Sequence, residues 1–269
     1  MTRKPLQAVV FDWAGTVIDH GSLAPMGVFV KAFAQFGVEI TIDEARGPMG
    51  MAKRDHIATL MRHPRIAAAW AKQHGAAPGE ADIDKVYAVF VPMNVEVVTD
   101  YAEMIDGVVP TIDRLRARGL KIGSTTGYTR EIMARVLPLA AKQGYAPDNL
   151  VCAGDLPAGR PTPLMMYRTF LDLDVWPASS VVKVDDTEVG IAEGLNAGCW
   201  TIGIAVTGNV FGLSADDTYD LDEETFEDMR YAAYAKLTRA GAHYVIDSVA
   251  EIESVLDDIE GRLARGERP

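Results

Sequence analysis

The stretch that most constrains this chain is Val9-Val10-Phe11-Asp12-Trp13-Ala14-Gly15-Thr16-Val17. An apolar run ends in an aspartate, and a Gly-Thr turn follows at once. A short apolar run closed by a turn reads as a buried strand. Its carboxylate then stands at the carboxyl end of that strand, where open α/β sheets bind ligands.

The chain continues by alternating strand and helix patterns. Residues 120–125, 149–153, 180–184, 200–204 and 244–246 read as short strands. Helical windows fall near residues 129–142, 163–173, 190–197 and 249–265, and Pro110 is placed to start a helix before residue 120. Ser248-Val-Ala-Glu251 has capping-box spacing. This alternation predicts an α/β fold with a Rossmann-like parallel-sheet core. Residues 21–101 break it, with helical periodicity at 24–36, 53–61, 64–74 and 82–98. The expected organisation is a core made of residues 1–20 and 102–269, with residues 21–101 inserted as an all-helical cap. Gly21 and Gly107 flank the cap as hinges, and the cap closes over the site as a lid. Residues 222–240 read as a long structural helix.

The formal net charge of -12 argues against nucleic acid, which needs a basic footprint. It leaves a small anionic substrate open, because charge within a cleft matters more than the total. A divalent cation would offset acidic residues at a site. Cys152 and Cys199 lie in apolar surroundings and read as core residues without a disulfide, which fits the cytoplasm. Arg3 and Lys4 precede an apolar run, but Asp12 interrupts it too early for a signal peptide. No stretch approaches the roughly 20 apolar residues of a membrane span.

Four strand ends carry chemistry. Asp12 is a nucleophile or a cap for the following turn. Ser124-Thr-Thr-Gly-Tyr128 ends a strand in three hydroxyls and a glycine, a place for an anion, while Thr129 suits a helix cap. In Gly159-Arg160-Pro161-Thr162-Pro163 a cation sits beside prolines and could offset phosphoryl charge, or could be a surface arginine before a helix. Val184-Asp185-Asp186-Thr187 again ends a strand in acids, and one of them paired with Asp12 suits Mg²⁺. A fifth element lies in the helical insertion. If a helix extends back through Met49, then Met49, Lys53 and His56 share one face. A lysine among methionines would be desolvated and nucleophilic, with His56 moving protons for it. The alternative is a snorkelling surface lysine.

Taken in order, these strand ends resemble the haloacid dehalogenase superfamily. The resemblance implies Asp12 as nucleophile, Thr126 and Arg160 on the transferring phosphoryl group, and Asp186 on the metal. The superfamily usually has lysine where Arg160 stands, and many members have an acid where Gly190 stands; Asp185 or Glu188 would replace that acid. Its phosphatases carry a general acid two residues after the nucleophile, where this chain has Ala14. Asp12-Trp-Ala-Gly-Thr16, Met49-Gly-x-x-Lys53-x-x-His56, Ser124-Thr-Thr-Gly-Tyr128, Gly159-Arg-Pro-Thr-Pro163 and Asn196-Ala-Gly-Cys-Trp200 together resemble the phosphonoacetaldehyde hydrolase (phosphonatase) family.

That resemblance implies cleavage of the C–P bond of phosphonoacetaldehyde to acetaldehyde and phosphate. It implies a Schiff base on Lys53, an aspartyl phosphate on Asp12, and Mg²⁺ on Asp12, the Ala14 carbonyl and Asp186. Met49, His56, Thr126, Gly127, Tyr128 and Arg160 complete the implied catalytic set. A carbon leaving group that departs as a neutral enamine needs no general acid, which accounts for Ala14. The resemblance also implies a homodimer, with Met26, Phe29 and Phe33 either at the contact or in the cap's own core. The alternatives are a phosphomonoester phosphatase or phosphomutase, a 2-haloacid dehalogenase, and a catalytically silent binding protein of the same fold.

Overall fold

Strand β1 (Ala8–Phe11) runs directly into Asp12, and every residue of the strand is buried. In the computed structural model, which describes residues 6–269, it is one of six parallel strands. The others are β2 (Lys121–Thr129), β3 (Val151–Ala153), β4 (Val181–Asp185), β5 (Trp200–Ile204) and β6 (Tyr244–Ile246). Their order is β3-β2-β1-β4-β5-β6. Phe11 lies opposite Ser124 of β2 and opposite Val184 of β4. The winding reverses between β1 and β4, so the crevice beyond their carboxyl ends is this topology's place for a ligand. Arg3 and Lys4 lie outside the described residues.

Five helices follow β1: α1 (Ala24–Ala34), α2 (Ile42–Arg46), α3 (Lys53–Arg62), α4 (Pro64–His74) and α5 (Glu80–Val97). The remaining helices alternate with strands: α6 (Val108–Ala117), α7 (Arg130–Lys142), α8 (Leu164–Leu173), α9 (Glu188–Ala197), α10 (Ala215–Tyr219), α11 (Glu223–Arg239) and α12 (Ile252–Arg265). β1 and β4 are buried on both sides, as parallel strands covered by helices must be. Val9, Phe11, Ile122, Val182 and Val184 pack with Ile112, Ile132, Val136 and Leu256 on one side. Ala8, Val10 and Val181 meet Met166 and Leu173 on the other.

The inserted helices have an apolar cluster of their own, built on Met26, Phe29, Phe33, Ile57, Met61, Trp70 and Phe90. Each such side chain, fully buried, contributes about 1.5–3 kcal/mol. Met26, Phe29 and Phe33 are therefore core residues of this layer and are closed to a contact with a second subunit. The short α2 was missed, although its Thr41 and Glu44 form a reciprocal capping box. The Ser248 box does not form as expected. Its hydroxyl accepts from Ala250 N–H at 3.2 Å, and a 3-10 turn, Val249–Glu251, precedes α12. Pro110 is the third residue of α6, which starts after Gly107 (φ 81°). Among the described residues no helix is long and apolar enough to cross a membrane. Cys152 and Cys199 are buried and unbonded.

Candidate active site

Three carboxylates meet where β1 and β4 end. Asp12 N–H donates to the Val184 carbonyl at 3.0 Å, which ties the two strand ends together. Oxygens of Asp12, Asp185 and Asp186 lie within 4.8 Å of one another, and all three residues are buried. Asp186 Oδ2 accepts from Asn209 N–H at 2.7 Å. Gly15 (φ 77°) is required beside it, because a Cβ there would lie 2.2 Å from Asp186 Oδ2. Burial, then the charges of Asp12 and Asp185, push the Asp186 carboxyl well above the usual range. Burial also raises Asp12, against the opposing pull of Arg160. Two neighbouring carboxylates held toward their neutral forms are a set that a hard divalent cation would relieve. Ala14 lines the same pocket and offers no side-chain proton.

Arg160 joins these acids to a buried charge network. Its Nη2 donates to Asp12 Oδ1 at 2.8 Å and to the Thr125 carbonyl at 2.7 Å. Its Nε donates to Glu193 Oε2 at 3.0 Å, and Nη1 lies 3.3 Å from Asp185 Oδ2. Lys183, buried in β4, lies 3.0 Å from Asp185 and 3.3 Å from Glu193, and donates to Thr125 Oγ1 at 2.8 Å. Burial works against the Arg160 charge, but Asp12, Asp185 and Glu193 outweigh it and hold the guanidinium protonated. A lysine would lack the planar fork that reaches these groups together. Arg160 is thus no surface arginine, and Asp12, bonded to it, is no helix cap. The sequence reading missed Thr125, Lys183 and Glu193; the one signal was a lysine inside an otherwise apolar strand. Glu188 does not take part, since it pairs with Lys236 at 3.2 Å and is half exposed.

The helical layer supplies a cation from the other side. Lys53 opens α3 and is 3 % exposed. Its Nζ lies 3.8 Å from Met49 Sδ and 5.1 Å from the Tyr128 ring centroid. Burial brings the amine down to about 8, while Asp12 pulls the other way. It is therefore not a snorkelling surface lysine. Met49 does not share a helix with it, as the spacing suggested. Gly50 (φ 88°) breaks the helix, and a Cβ there would lie 2.3 Å from Thr187 Oγ1. Met49 reaches Lys53 from the preceding loop instead.

His56 sits one turn after Lys53 and does not line the pocket. Its Nε2 bonds the Ala45 carbonyl at 2.8 Å, and its ring stacks on Phe29 at 4.0 Å. Burial, then the Lys53 charge, hold it well below the usual histidine range, so it is neutral. Nε2 carries the hydrogen toward that carbonyl, and Nδ1 is buried with no partner.

Thr126, Gly127 and Tyr128 end β2 in the same pocket. A Cβ on Gly127 would lie 2.9 Å from the Met51 carbonyl, so the helical layer rests directly on this strand end. Tyr128 is buried with its hydroxyl unpartnered, and its N–H donates to Thr126 Oγ1 at 3.1 Å. Thr129 caps α7 by accepting from Ile132 N–H at 3.4 Å, which leaves Thr126 to the pocket. Ser22, Gly50 and Thr187 also line it and were missed. Asp19 is a further missed group: its carboxylate accepts from Leu23 and Ala24 N–H at 2.9 and 3.0 Å, and burial raises it to about 7.

The sequence profile of haloacid dehalogenase-like hydrolases matches residues 6–198, and the chain belongs to that family. A phosphonoacetaldehyde hydrolase of Paraburkholderia phytofirmans is 60% identical over 99% of this chain and 100% of its own length. One of Salmonella gallinarum is 48% identical over 98% of both chains. A crystal structure of a phosphonoacetaldehyde hydrolase-like protein from Oleispira antarctica superposes with a TM-score of 0.98 at 44% identity, covering 99% of this chain and 97% of that one. Within the superfamily, then, the chain is a member of the phosphonoacetaldehyde hydrolases, and it is an enzyme rather than a silent binding protein. A β-phosphoglucomutase from Clostridium difficile, with a TM-score of 0.69 at 15% identity over 97% of this chain and 99% of its own, shares the fold alone.

Proposed function

We propose that this enzyme hydrolyses the C–P bond of phosphonoacetaldehyde to acetaldehyde and phosphate. The observation that carries the reading is a buried, pKa-lowered Lys53 lining one pocket with Asp12 and Arg160. Ala14, where an oxygen leaving group would want an acid, supports it against a phosphomonoester phosphatase or phosphomutase.

In this reading the neutral Lys53 amine adds to the aldehyde carbonyl, and the adduct takes up one proton from solvent and loses water to give a protonated imine. Asp12 attacks phosphorus. The electron pair of the breaking C–P bond flows into the imine, and carbon leaves as a neutral enamine. Water hydrolyses the aspartyl phosphate and frees Asp12. Protonation of the enamine carbon and hydrolysis of the imine release acetaldehyde and restore Lys53. Arg160, the Thr126 hydroxyl and the Gly127 N–H hold the phosphoryl oxygens. Met49, Tyr128 and Phe29 keep the amine desolvated. His56 stands behind the pocket wall one turn from Lys53, so any part it takes in imine formation would be a proton relay to that lysine through its free Nδ1.

The donor set fits Mg²⁺, held by Asp12, Asp186 and the Ala14 carbonyl. That ion would supply positive charge against the phosphoryl oxygens. Residues 21–101 act as a cap over the site, and the enzyme works in the cytoplasm as a homodimer. The test is to supply phosphonoacetaldehyde with Mg²⁺ and assay both products. Acetaldehyde and phosphate released in equal amounts support the reading. Turnover confined to phosphate monoesters refutes it.

A further inference from the structure

Arg46 closes α2, and the loop that follows, residues 47–52, leads straight into Lys53. Its guanidinium crosses from the helical layer to the sheet layer. Nη1 donates to the Gly21 carbonyl at 2.9 Å and to both the carbonyl and the Oδ1 of Asn209 at 3.2 Å. Nη2 donates to the Gly212 carbonyl at 2.7 Å. Gly212 (φ 72°) has no room for a side chain, because its Cβ would lie 2.8 Å from Arg46 Cζ. Asn209 faces the other way as well, its N–H on Asp186 Oδ2 at 2.7 Å. One residue, Asn209, therefore bridges the carboxylate site to the layer that carries the lysine.

Resting on the imine reading above, we propose that Arg46 is a positioning residue for the reaction. It pins the start of the 47–52 loop to Asn209 and Gly212, so that Lys53 meets the substrate carbon while Asp12 meets phosphorus. The loop has a second fixed point where Gly50 and Met51 carbonyls touch Gly127. Two points define the path of so short a loop, and removing one leaves Lys53 free to drift. A misplacement of about 1 Å costs a reaction of this kind about 10²-fold. The role needs a guanidinium: four acceptors on three residues exceed the three donors of a lysine ammonium.

The test compares wild type, Arg46→Ala and Arg46→Lys. The proposal predicts that both variants raise KM and slow borohydride trapping of the Lys53 adduct by about 10²-fold. Millimolar guanidinium should restore much of the loss in Arg46→Ala, and equal sodium chloride should not. Hydrogen exchange should accelerate in residues 47–52 and stay unchanged in β1 and β4. Wild-type kinetics and loop exchange in Arg46→Ala would overturn the proposal. So would a uniform loss of protection across the protein without guanidinium rescue, which makes Arg46 merely structural. If wild type itself forms no adduct, the imine reading fails, and the exchange result still decides whether Arg46 pins the loop.

Discussion

The Asp185 carboxylate occupies the space that a side chain at Gly190 would need. A Cβ built on Gly190 would lie 1.9 Å from Asp185 Cγ and within 2.1 Å of both its oxygens. Asp185 is fixed there by Lys183 at 3.0 Å, by Arg160 at 3.3 Å and by the Thr187 hydroxyl at 2.7 Å. An acid at 190 and the present orientation of Asp185 exclude each other, which explains how the site does without the acid that many superfamily members carry there.

Gly190→Ala is the direct consequence. The methyl must displace Asp185, and with it the partner of Arg160 and Lys183. Forced overpacking of this kind costs about 1–3 kcal/mol. Urea unfolding should report that loss, and kcat should fall with it, because Arg160 also holds Asp12. A variant as stable and active as wild type would refute the mutual exclusion.

Lys53 is kept for chemistry at the expense of stability. Its folded value of about 8 lies below the ordinary 10.5. Between those values the unfolded chain binds more protons, so stability rises with pH across that window and is lowest below about 8. The difference amounts to about 3 kcal/mol at neutral pH. Lys53→Met should therefore unfold later than wild type at pH 7, with the advantage shrinking toward pH 10.5. It should have no C–P cleavage. Equal melting of the two proteins at pH 7 would contradict the burial cost.

Asp12→Ala separates the two covalent steps. The variant keeps the Arg160 contacts to Glu193 and Asp185, so the network survives. Imine formation on Lys53 should persist while phosphate release stops. Phosphate produced by this variant would show that Asp12 is not the nucleophile.

Chelation tests the donor set. EDTA should abolish turnover and Mg²⁺ should restore it. Burial raises both Asp12 and Asp186, so protons compete with the ion and Mg²⁺ affinity should weaken as pH falls. Calorimetry across pH measures this directly. Affinity independent of pH, or full activity in EDTA, would argue against the site.

Much of this was legible in the sequence because strand ends are local. Asp12 and Asp186 each close an apolar run, Thr126 stands near the end of a strand and Arg160 lies in a proline-marked loop, and the parallel order of the sheet then brings them together. What was not legible depends on partners far away in sequence. Lys183 and Glu193 make sense only once Arg160 arrives from the loop between β3 and α8. Arg46 drew no reading from the sequence, because its role appears only once Asn209 and Gly212 meet it. Met49 was read onto a helix face because i, i+4 spacing persists through a glycine; the backbone at Gly50 ends the helix and the proximity survives by another route. The Met26, Phe29 and Phe33 stripe fitted two uses, and only the packing of α1 against α5 decided for the interior.

The account stands on Lys53 acting as an amine toward the substrate carbonyl. Borohydride added to protein incubated with Mg²⁺ and phosphonoacetaldehyde, followed by peptide mass spectrometry, tests this most directly. The account predicts a single reduced adduct on Lys53, forming faster as pH rises toward about 8, because the neutral amine is the reactive form. Turnover of phosphonoacetaldehyde with no adduct on Lys53 would contradict it.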